Sequence, residues 1–470
     1  MGGNPAPEPI VLRGHGGDVQ CIAFATIGGV ECLLSGDSNG DVVAWDLALR
    51  RPLWRLAAHP PSSGVLSVEA MPGGASWAPG DTSERGETSA TLVLTQGRDG
   101  TLKCWRASGA DAPSPDPAWS VTSGSFHFCR FASARDVSTT NLRALAVVGA
   151  ETSAVDVLAV LADAPDAPPA HVRTFRVPTE CETWDAIGTR SETWDASLRG
   201  APEGKLGTVM ACAFLFAPFA SGEATGVEPR GGALLLVVGY EEGTVALWDC
   251  ERVGEDERDA KTFREDVSAR VSGAPLWRER AHGDAVTSVA ADTKRGGFVS
   301  ASADGGVLRH TVRVVRETIR EDESSGETNE TRGDVSLRVR RAQAHGGAPE
   351  DAFATGAVTR GVACVAVRDD GAVLAAGGWD GRTRVYEIRG DRGASGGEKK
   401  PKRKPKRLAS LGFHDDVVSC AAFRTAGGGK GARVFAGWLA TGSRDGAVAL
   451  WPIFPPKTRA DGDGDEDEDA

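Results

Sequence analysis

The stretch Leu439-Ala440-Thr441-Gly442-Ser443-Arg444-Asp445-Gly446-Ala447-Val448-Ala449-Leu450-Trp451 decides the fold, because it recurs. Thr91-Leu92-Val93-Leu94-Thr95-Gln96-Gly97-Arg98-Asp99-Gly100-Thr101-Leu102-Lys103-Cys104-Trp105 repeats its pattern, and so do residues 33–45, 235–248, 298–310 and 374–386. Each copy reads as an apolar strand, a small-residue step, an acid or Asn before Gly, and an alternating strand that ends in an aromatic residue or His. A strand–turn–strand unit cannot bury its own faces. It must stack against copies of itself, so the repeat sets the architecture.

The internal distances are kept. Ten residues before the terminal position stands a hydroxyl residue in four copies: Ser35, Thr95, Ser300 and Thr441. Six residues before it stands Asn39, Asp99, Glu242, Asp304, Asp380 or Asp445, each followed by Gly. A His opens a strand upstream in four copies: His15, His59, His282 and His414. This pattern resembles the WD-repeat family. The resemblance implies that His, Ser/Thr, Asp and Trp form a hydrogen-bonded chain inside each blade, where buried polar groups must be paired. Two copies have all four members, namely His59, Thr95, Asp99 and Trp105, and His414, Thr441, Asp445 and Trp451. Copy one is read with Asn39 in the acid's place, and copy five with His310 in the place of Trp.

The terminal positions are Trp45, Trp105, Trp248, His310, Tyr386 and Trp451. The interval between Trp105 and Trp248 is too long for one copy and holds three further strand-like runs, at 126–131, 142–149 and 154–160. These make a degenerate seventh copy. The expected fold is therefore all-β, a seven-bladed WD-repeat β-propeller over 9–456, with a tail at 1–8 and an acidic tail at 457–470. Residues 9–13 are expected to serve as the outer strand of the last blade and close the ring, which removes exposed sheet edges. Copies average about 68 residues against roughly 40–45 for a minimal unit. The excess is loop insertion, expected to be disordered, near 71–89, 107–118, 162–170, 251–268, 317–334 and 390–407.

Composition excludes several classes. Net charge is −12, and seven acids lie between Asp461 and Asp469, which leaves −5 for the remainder. That argues against direct nucleic-acid binding. The nine cysteines are scattered without a Cys-x-x-Cys pair and read as small buried hydrophobes in a reducing compartment. The N-terminus shows neither a secretion core nor the hydroxyl residue that myristoylation requires. Apolar runs at 209–217 and 233–238 are strand-length, so no membrane span is expected.

Non-consensus copies carry a narrower resemblance. Pro9-Ile10-Val11-Leu12-Arg13-Gly14, Gly239-Tyr240-Glu241-Glu242-Gly243-Thr244-Val245-Ala246-Leu247-Trp248-Asp249, Ala375-Ala376-Gly377-Gly378-Trp379-Asp380 and Leu450-Trp451-Pro452-Ile453-Phe454-Pro455 are the telling segments. In order, they resemble the family of guanine nucleotide-binding protein subunit beta-like proteins, which includes the fungal ASTRA-associated protein 1. That resemblance implies a non-enzymatic interaction scaffold linked to chromatin remodelling and to maturation of phosphatidylinositol-3-kinase-like kinases. The implied partners are those kinases and the triple-T co-chaperone complex, in the nucleus and cytoplasm, with a monomeric propeller inside a larger assembly.

His–Ser–Asp sets invite a hydrolytic triad, but catalysis needs one site, not a copy in every blade. No Gly-x-Ser-x-Gly, His-Glu-x-x-His or P-loop sequence is present, so no catalytic, cofactor or metal residues are assigned. The residue before each turn acid is Ser38, Arg98, Glu241, Ala303, Trp379 or Arg444, expected at the mouth of the central channel. Trp379, Arg444, Arg98 and Glu241 are the candidate partner contacts, since Trp and Arg dominate binding hot spots. The run 399–407 holds seven Lys or Arg and reads as an import signal or a solvated loop. The duplicated Glu-Thr-Trp-Asp-Ala at 182–186 and 192–196 reads as a loop duplication or a docking peptide. A cullin-type substrate receptor is the alternative function, but Trp45-Asp46-Leu47-Ala48 and Trp248-Asp249-Cys250-Glu251 lack its following Arg.

Overall fold

The computed structural model describes the residues outside 1–7, 73–90, 124–126, 135–141, 162–166, 177–205, 219–231, 251–270, 273–274, 318–333, 342–360, 389–405, 425–434 and 454–470. The duplicated Trp-Asp segment, the acidic tail and the basic run before Lys406 lie outside the described residues.

The chain opens with β1 (Ile10–Arg13). Blade one is β2 (Val19–Ile27), β3 (Val30–Asp37), β4 (Asp41–Asp46) and β5 (Arg51–Ala57). Blade two is β6 (Val65–Pro72), β7 (Thr91–Gly97), β8 (Thr101–Ala107) and β9 (Trp119–Thr122). Blade three is β10 (Ala132–Ser133), β11 (Leu142–Val148), β12 (Ala154–Leu161) and β13 (Ala170–Arg176). Blade four is β14 (Val209–Pro218), β15 (Gly232–Tyr240), β16 (Thr244–Asp249) and, after β17 (Val271–Ser272), β18 (Trp277–Arg280). Blade five is β19 (Val286–Asp292), β20 (Gly297–Ser302), β21 (Val307–Glu317) and β22 (Asp334–Arg341). Blade six is β23 (Val362–Val367), β24 (Val373–Gly378), β25 (Arg382–Glu387) and β26 (Lys406–Gly412). Blade seven is β27 (Val418–Phe423), β28 (Leu439–Ser443) and β29 (Ala447–Trp451), completed by β1. The closing strand pairs Ile10 with Leu450 and Arg13 with Ala447, antiparallel.

Seven blades enclose seven interfaces, and each is a hydrophobic cluster. Leu33, Trp45 and Leu450 pack between blades seven and one, Val65 and Trp105 between one and two, and Leu94 and Phe131 between two and three. Phe175 meets Trp248 between three and four. Phe298, Tyr386 and Trp451 anchor the remaining three. The terminal aromatic, Trp in copies one, two, four and seven and Tyr in copy six, thus fills an interface rather than its own sheet, which is why the repeat needs its neighbours.

Two repeated devices fix the turns. In six blades the innermost strand pair shifts register near its start, between Val19 and Cys21, Val65 and Ser67, Val209 and Ala211, Val286 and Ser288, Val362 and Cys364, and Val418 and Cys420. Such a bulge re-aims the strand end. In addition, the turn glycine takes the left-handed region, as in Gly40 (φ 87°) and Gly381 (φ 74°). A Cβ there would meet the carbonyl of His59 at 2.2 Å or of His414 at 2.4 Å, so each turn abuts the opening His of the next blade.

Blade three departs from the sequence reading. The run 126–131, expected as its inner strand, has no strand among the described residues 127–131, and β10 is only Ala132–Ser133. The chain there leaves the blade to cross the channel, as described below. A further strand, β17, pairs parallel with β13 and gives this blade a fifth strand. The insertion at 107–118 is a placed loop that buries Pro113, and the Ala118 amide donates to the Cys104 carbonyl at 2.7 Å.

Candidate interaction surface at the channel mouth

The polar chains that hold the turns come first, because they position everything the mouth presents. In blade two the Trp105 indole N–H donates to Thr95 Oγ1 at 2.9 Å. That hydroxyl lies 2.9 Å from His59 Nε2, and His59 Nδ1 lies 3.2 Å from Asp99 Oδ2. Blade seven repeats this with Trp451, Thr441, His414 and Asp445 at 3.0, 2.9 and 2.9 Å. A hydroxyl that already accepts from indole has its own proton to give to Nε2. The chain is therefore complete with a neutral imidazole donating Nδ1–H to the carboxylate.

Blade one corrects the sequence reading. Its acid is Asp37, not Asn39. Asp37 Oδ2 takes His15 Nδ1 at 2.9 Å, His15 Nε2 meets Ser35 Oγ at 2.6 Å, and Trp45 donates to Ser35 at 2.7 Å. Asp37 also accepts the amides of Asn39 and Asp41, at 3.0 and 3.1 Å. The acid stands two residues earlier, at the end of β3 instead of in the turn, and there it reaches the His. In blade five Ser300 joins His282 at 2.8 Å and His310 at 3.0 Å, so His310 stands where Trp does elsewhere. Among the described residues of blade six no His meets the turn acid. Arg384 instead clamps Asp380 through Nη2 at 2.6 Å and Nη1 at 3.1 Å, a bidentate pair that does the same work. In blade four Val238 occupies the hydroxyl position, so Trp248 has no such acceptor.

The electrostatics follow from these bonds. Burial opposes ionisation of Asp37, Asp99 and Asp445, but hydrogen bonds outweigh it and hold all three below the ordinary carboxylate range: from His15 and the Asp41 and Asn39 amides at Asp37, from the Thr101 hydroxyl and amide and then His59 at Asp99, and from the Ala447 amide and His414 at Asp445. Burial lowers His59 and His414 despite their carboxylate partners. All five groups bind protons more weakly folded than unfolded, so their stabilisation is present above the unfolded pKa and is lost as pH falls through the folded one. Histidine carries the upper window. Stability is expected to decline on acidification below about pH 6.5, and a second decline begins below about pH 4. Urea midpoints measured from about pH 7.5 to about pH 5 check this, and a flat profile over that window contradicts neutral staple histidines.

The stapled turns share one backbone geometry. The amide before each turn acid donates to the carbonyl just ahead of the inner strand: Ser38 to Asp18, Arg98 to Ser63, Glu241 to Thr208, Ala303 to Ala285, Trp379 to Gly361, and Arg444 to Val417, at 2.9–3.2 Å. The six side chains at this ring differ sharply. Glu241 Oε2 accepts the Thr208 amide at 3.1 Å and its hydroxyl at 3.0 Å, so it holds its own loop. The Arg98 guanidinium carbon lies 5.2 Å from the centre of the Phe128 ring. The Trp379 indole rests over Gly361, where an added Cβ would come within 2.9 Å of the ring, yet Trp379 stays 42 % exposed. Arg444 is exposed on the adjacent blade seven.

One segment was missed in the sequence, and it reorganises the channel. Residues 127–131 leave blade three and touch four others. The Arg130 guanidinium donates through Nη2 to Gln20 O at 2.7 Å and Ser419 O at 2.8 Å, on blades one and seven across the ring. The Phe131 amide donates to Gln96 Oε1 of blade two at 2.7 Å. Cys129 meets Cys212 of blade four, and His127 is buried. Farther along the same inner strands lies a cavity of about 360 Å³ lined by Ile22, Phe24, Glu69, Phe131 and Phe423. Phe128 is left 64 % exposed beside Arg98. Among the described residues the large apolar side chains left exposed are Leu49, Phe128 and Trp379; Trp379 is on the ring of turns and Phe128 lies beside Arg98 of that ring. In sequence, Phe128 looked like one more member of an apolar run.

The arrangement offers rigid turns carrying aromatic and cationic side chains, which suits contact with another protein. No group of three or more His, Cys, Asp or Glu able to hold a metal occurs among the described residues. Nor is any helix among them long and apolar enough to cross a membrane. The family model for the WD domain, G-beta repeat, matches residues 353–387, which include β23 to β25. ASTRA-associated protein 1 of Schizosaccharomyces japonicus is 25% identical, over 95% of this chain and 99% of that protein. The Verticillium alfalfae protein of the same name is also 25% identical, over 95% and 93%. Guanine nucleotide-binding protein subunit beta-like protein 1 of Mus musculus is 25% identical over 96% and 98%. The crystal structure of Chaetomium thermophilum Raptor matches with a TM-score of 0.50 at 12% identity, over 95% of this chain and 28% of that one, a likeness of fold.

Proposed function

For a seven-bladed WD-repeat propeller similar along nearly its whole length to ASTRA-associated proteins, we propose a non-enzymatic scaffold that docks protein partners at its channel mouth. The partners, by resemblance, are the triple-T co-chaperone complex and phosphatidylinositol-3-kinase-like kinases, within an ASTRA-type assembly linked to chromatin. The observation that carries this reading is Trp379, which stands exposed on a turn that the Asp380–Arg384 pair locks in place. A tryptophan so placed has little packing reason to be there and fits a hot-spot anchor. Repetition of the His-centred chain in blades one, two, five and seven supports structural staples over a catalytic site. Affinity purification of the full chain tests the proposal. Triple-T-like and kinase-like chains are the expected co-purifying species, and an assembly without either class overturns it.

We place the chain in the nucleus and cytoplasm. The basic run 399–407 is the proposed import signal, and its last two residues, Lys406 and Arg407, are exposed at the start of β26. Replacing Lys402, Arg403, Lys404, Lys406 and Arg407 by Ala is expected to shift a fluorescent fusion out of the nucleus. An unchanged nuclear fraction leaves a solvated loop as the reading.

A further inference from the structure

Eight of the nine cysteines lie among the described residues as free thiols, and seven of those are buried. Cys212 is the partly exposed one. Its sulfur lies 3.9 Å from that of Cys129, a residue 83 positions away in the chain. Both thiols converge on a single acceptor, the Arg130 carbonyl, at 3.3 Å from Cys129 and 3.4 Å from Cys212. Cys212 sits on β14, the inner strand of blade four. Cys129 sits on the crossing segment, outside any strand, where a side-chain rotation breaks no ladder hydrogen bond.

We infer that Cys129 and Cys212 are a redox modification site that closes to a disulfide when the protein meets a hydroperoxide. Cys212 is the thiol that solvent reaches. Its thiolate attacks the peroxide oxygen, the O–O bond breaks, and the departing oxygen leaves as water or alcohol after taking a proton, with Cys212 left as a sulfenic acid. The Cys129 sulfur then attacks that sulfur. The S–OH bond breaks, the hydroxyl leaves as water with the Cys129 proton, and the S–S bond forms. Two thiols are oxidised by two electrons in all, and one peroxide is reduced. The sulfurs must close to about 2.05 Å. The hydrogen bond to Cys212, together with burial, pushes the Cys129 thiol up, so the peroxide reacts first at Cys212, and Cys129 attacks only the sulfenic acid held beside it. Elsewhere burial, helped by neighbouring groups (Asp46 and Glu31 beside Cys32, Cys420 beside Cys364), raises Cys32 and Cys364 to about 12 each and keeps them inert.

The bond has a mechanical consequence. Arg130, next to Cys129, already ties the crossing segment to blades one and seven. Joining Cys129 to blade four makes the tie reach from blade four to blades one and seven, with Phe128 next to the anchored Cys129. A covalent loop of this length restricts the unfolded chain, so the oxidised form unfolds at a higher temperature.

The test uses the full chain, oxidised with hydrogen peroxide, followed by blocking of residual thiols and peptide mass mapping. A Cys129–Cys212 cross-linked peptide, loss of two hydrogens, and a raised thermal midpoint that dithiothreitol reverses are expected. Cys129→Ser should leave Cys212 as a sulfenic acid that dimedone traps, and Cys212→Ser should abolish both the cross-link and the midpoint shift. Recovery of Cys129 as a free thiol beside an oxidised Cys212, or a cross-link between other cysteines, overturns the inference. The map of the unmutated chain decides the matter even where a variant does not fold.

Discussion

Replacing Asp37 by Ala is expected to lower unfolding free energy by about 3 kcal/mol, while Asn39→Ala stays within about 0.5 kcal/mol. The two positions are two residues apart, and the repeat spacing points to the second. The geometry reverses that ranking. The side chains of Asp37 and His15 are both 0% exposed, and Asp37 accepts three hydrogen bonds, from the His15 ring and the amides of Asn39 and Asp41. Truncation strands the His15 ring away from water, and an uncompensated buried partner is the expensive outcome. Asn39 is exposed. Asp99 and Asp445 hold the same place in their blades but keep 18% and 17% side-chain exposure, so water can replace part of what their loss removes. Their Ala variants are expected to lose about 1–3 kcal/mol, less than Asp37. Urea titration with equal slopes gives the comparison. Equal midpoints for Asp37→Ala and Asn39→Ala would falsify the assignment of the blade-one acid.

The second large effect is on binding and rests on the proposed scaffold function. The double change Trp379→Ala with Arg444→Ala is expected to weaken partner recovery about thirtyfold or more, equivalent to about 2 kcal/mol. The two residues hold equivalent positions on adjacent blades, six and seven, with amides bonded to Gly361 O and Val417 O. Their backbone is fixed by those bonds and by the turn acids, so truncating exposed side chains leaves the frame intact. The thermal midpoint should therefore move little. Undiminished recovery from the double variant moves the interface elsewhere on the propeller. Arg98 and Phe128 provide the internal comparison, because they stack on one another across the mouth from blade six. Glu241 is a poor target for such a test, since its loss would first release the Thr208 loop.

The sequence by itself determined the repeat and its consequences. Strand–turn–strand copies ending in Trp45, Trp105, Trp248, His310, Tyr386 and Trp451 implied seven blades and a ring closed by residues 9–13, because each signal is local and periodic. The hydroxyl ten residues ahead of the terminal position was legible for the same reason: two paired strands of one hairpin keep that spacing. Tertiary structure decided what does not repeat. Asp37 displaces Asn39 because a His arriving from another loop selects whichever acid it can reach, and spacing along one strand cannot express that choice. Arg384 clamps the turn acid of blade six through an ion pair, where blades one, two and seven use a His, and the repeat spacing does not announce that exchange. The segment 127–131 carried a strand-like pattern, yet its contacts lie 35, 83, 110 and 289 residues away. Such contacts exist only once the ring has closed and set those residues around one channel, so Phe128, Arg130 and the Cys129–Cys212 pair belong to the folded ring and not to the repeat.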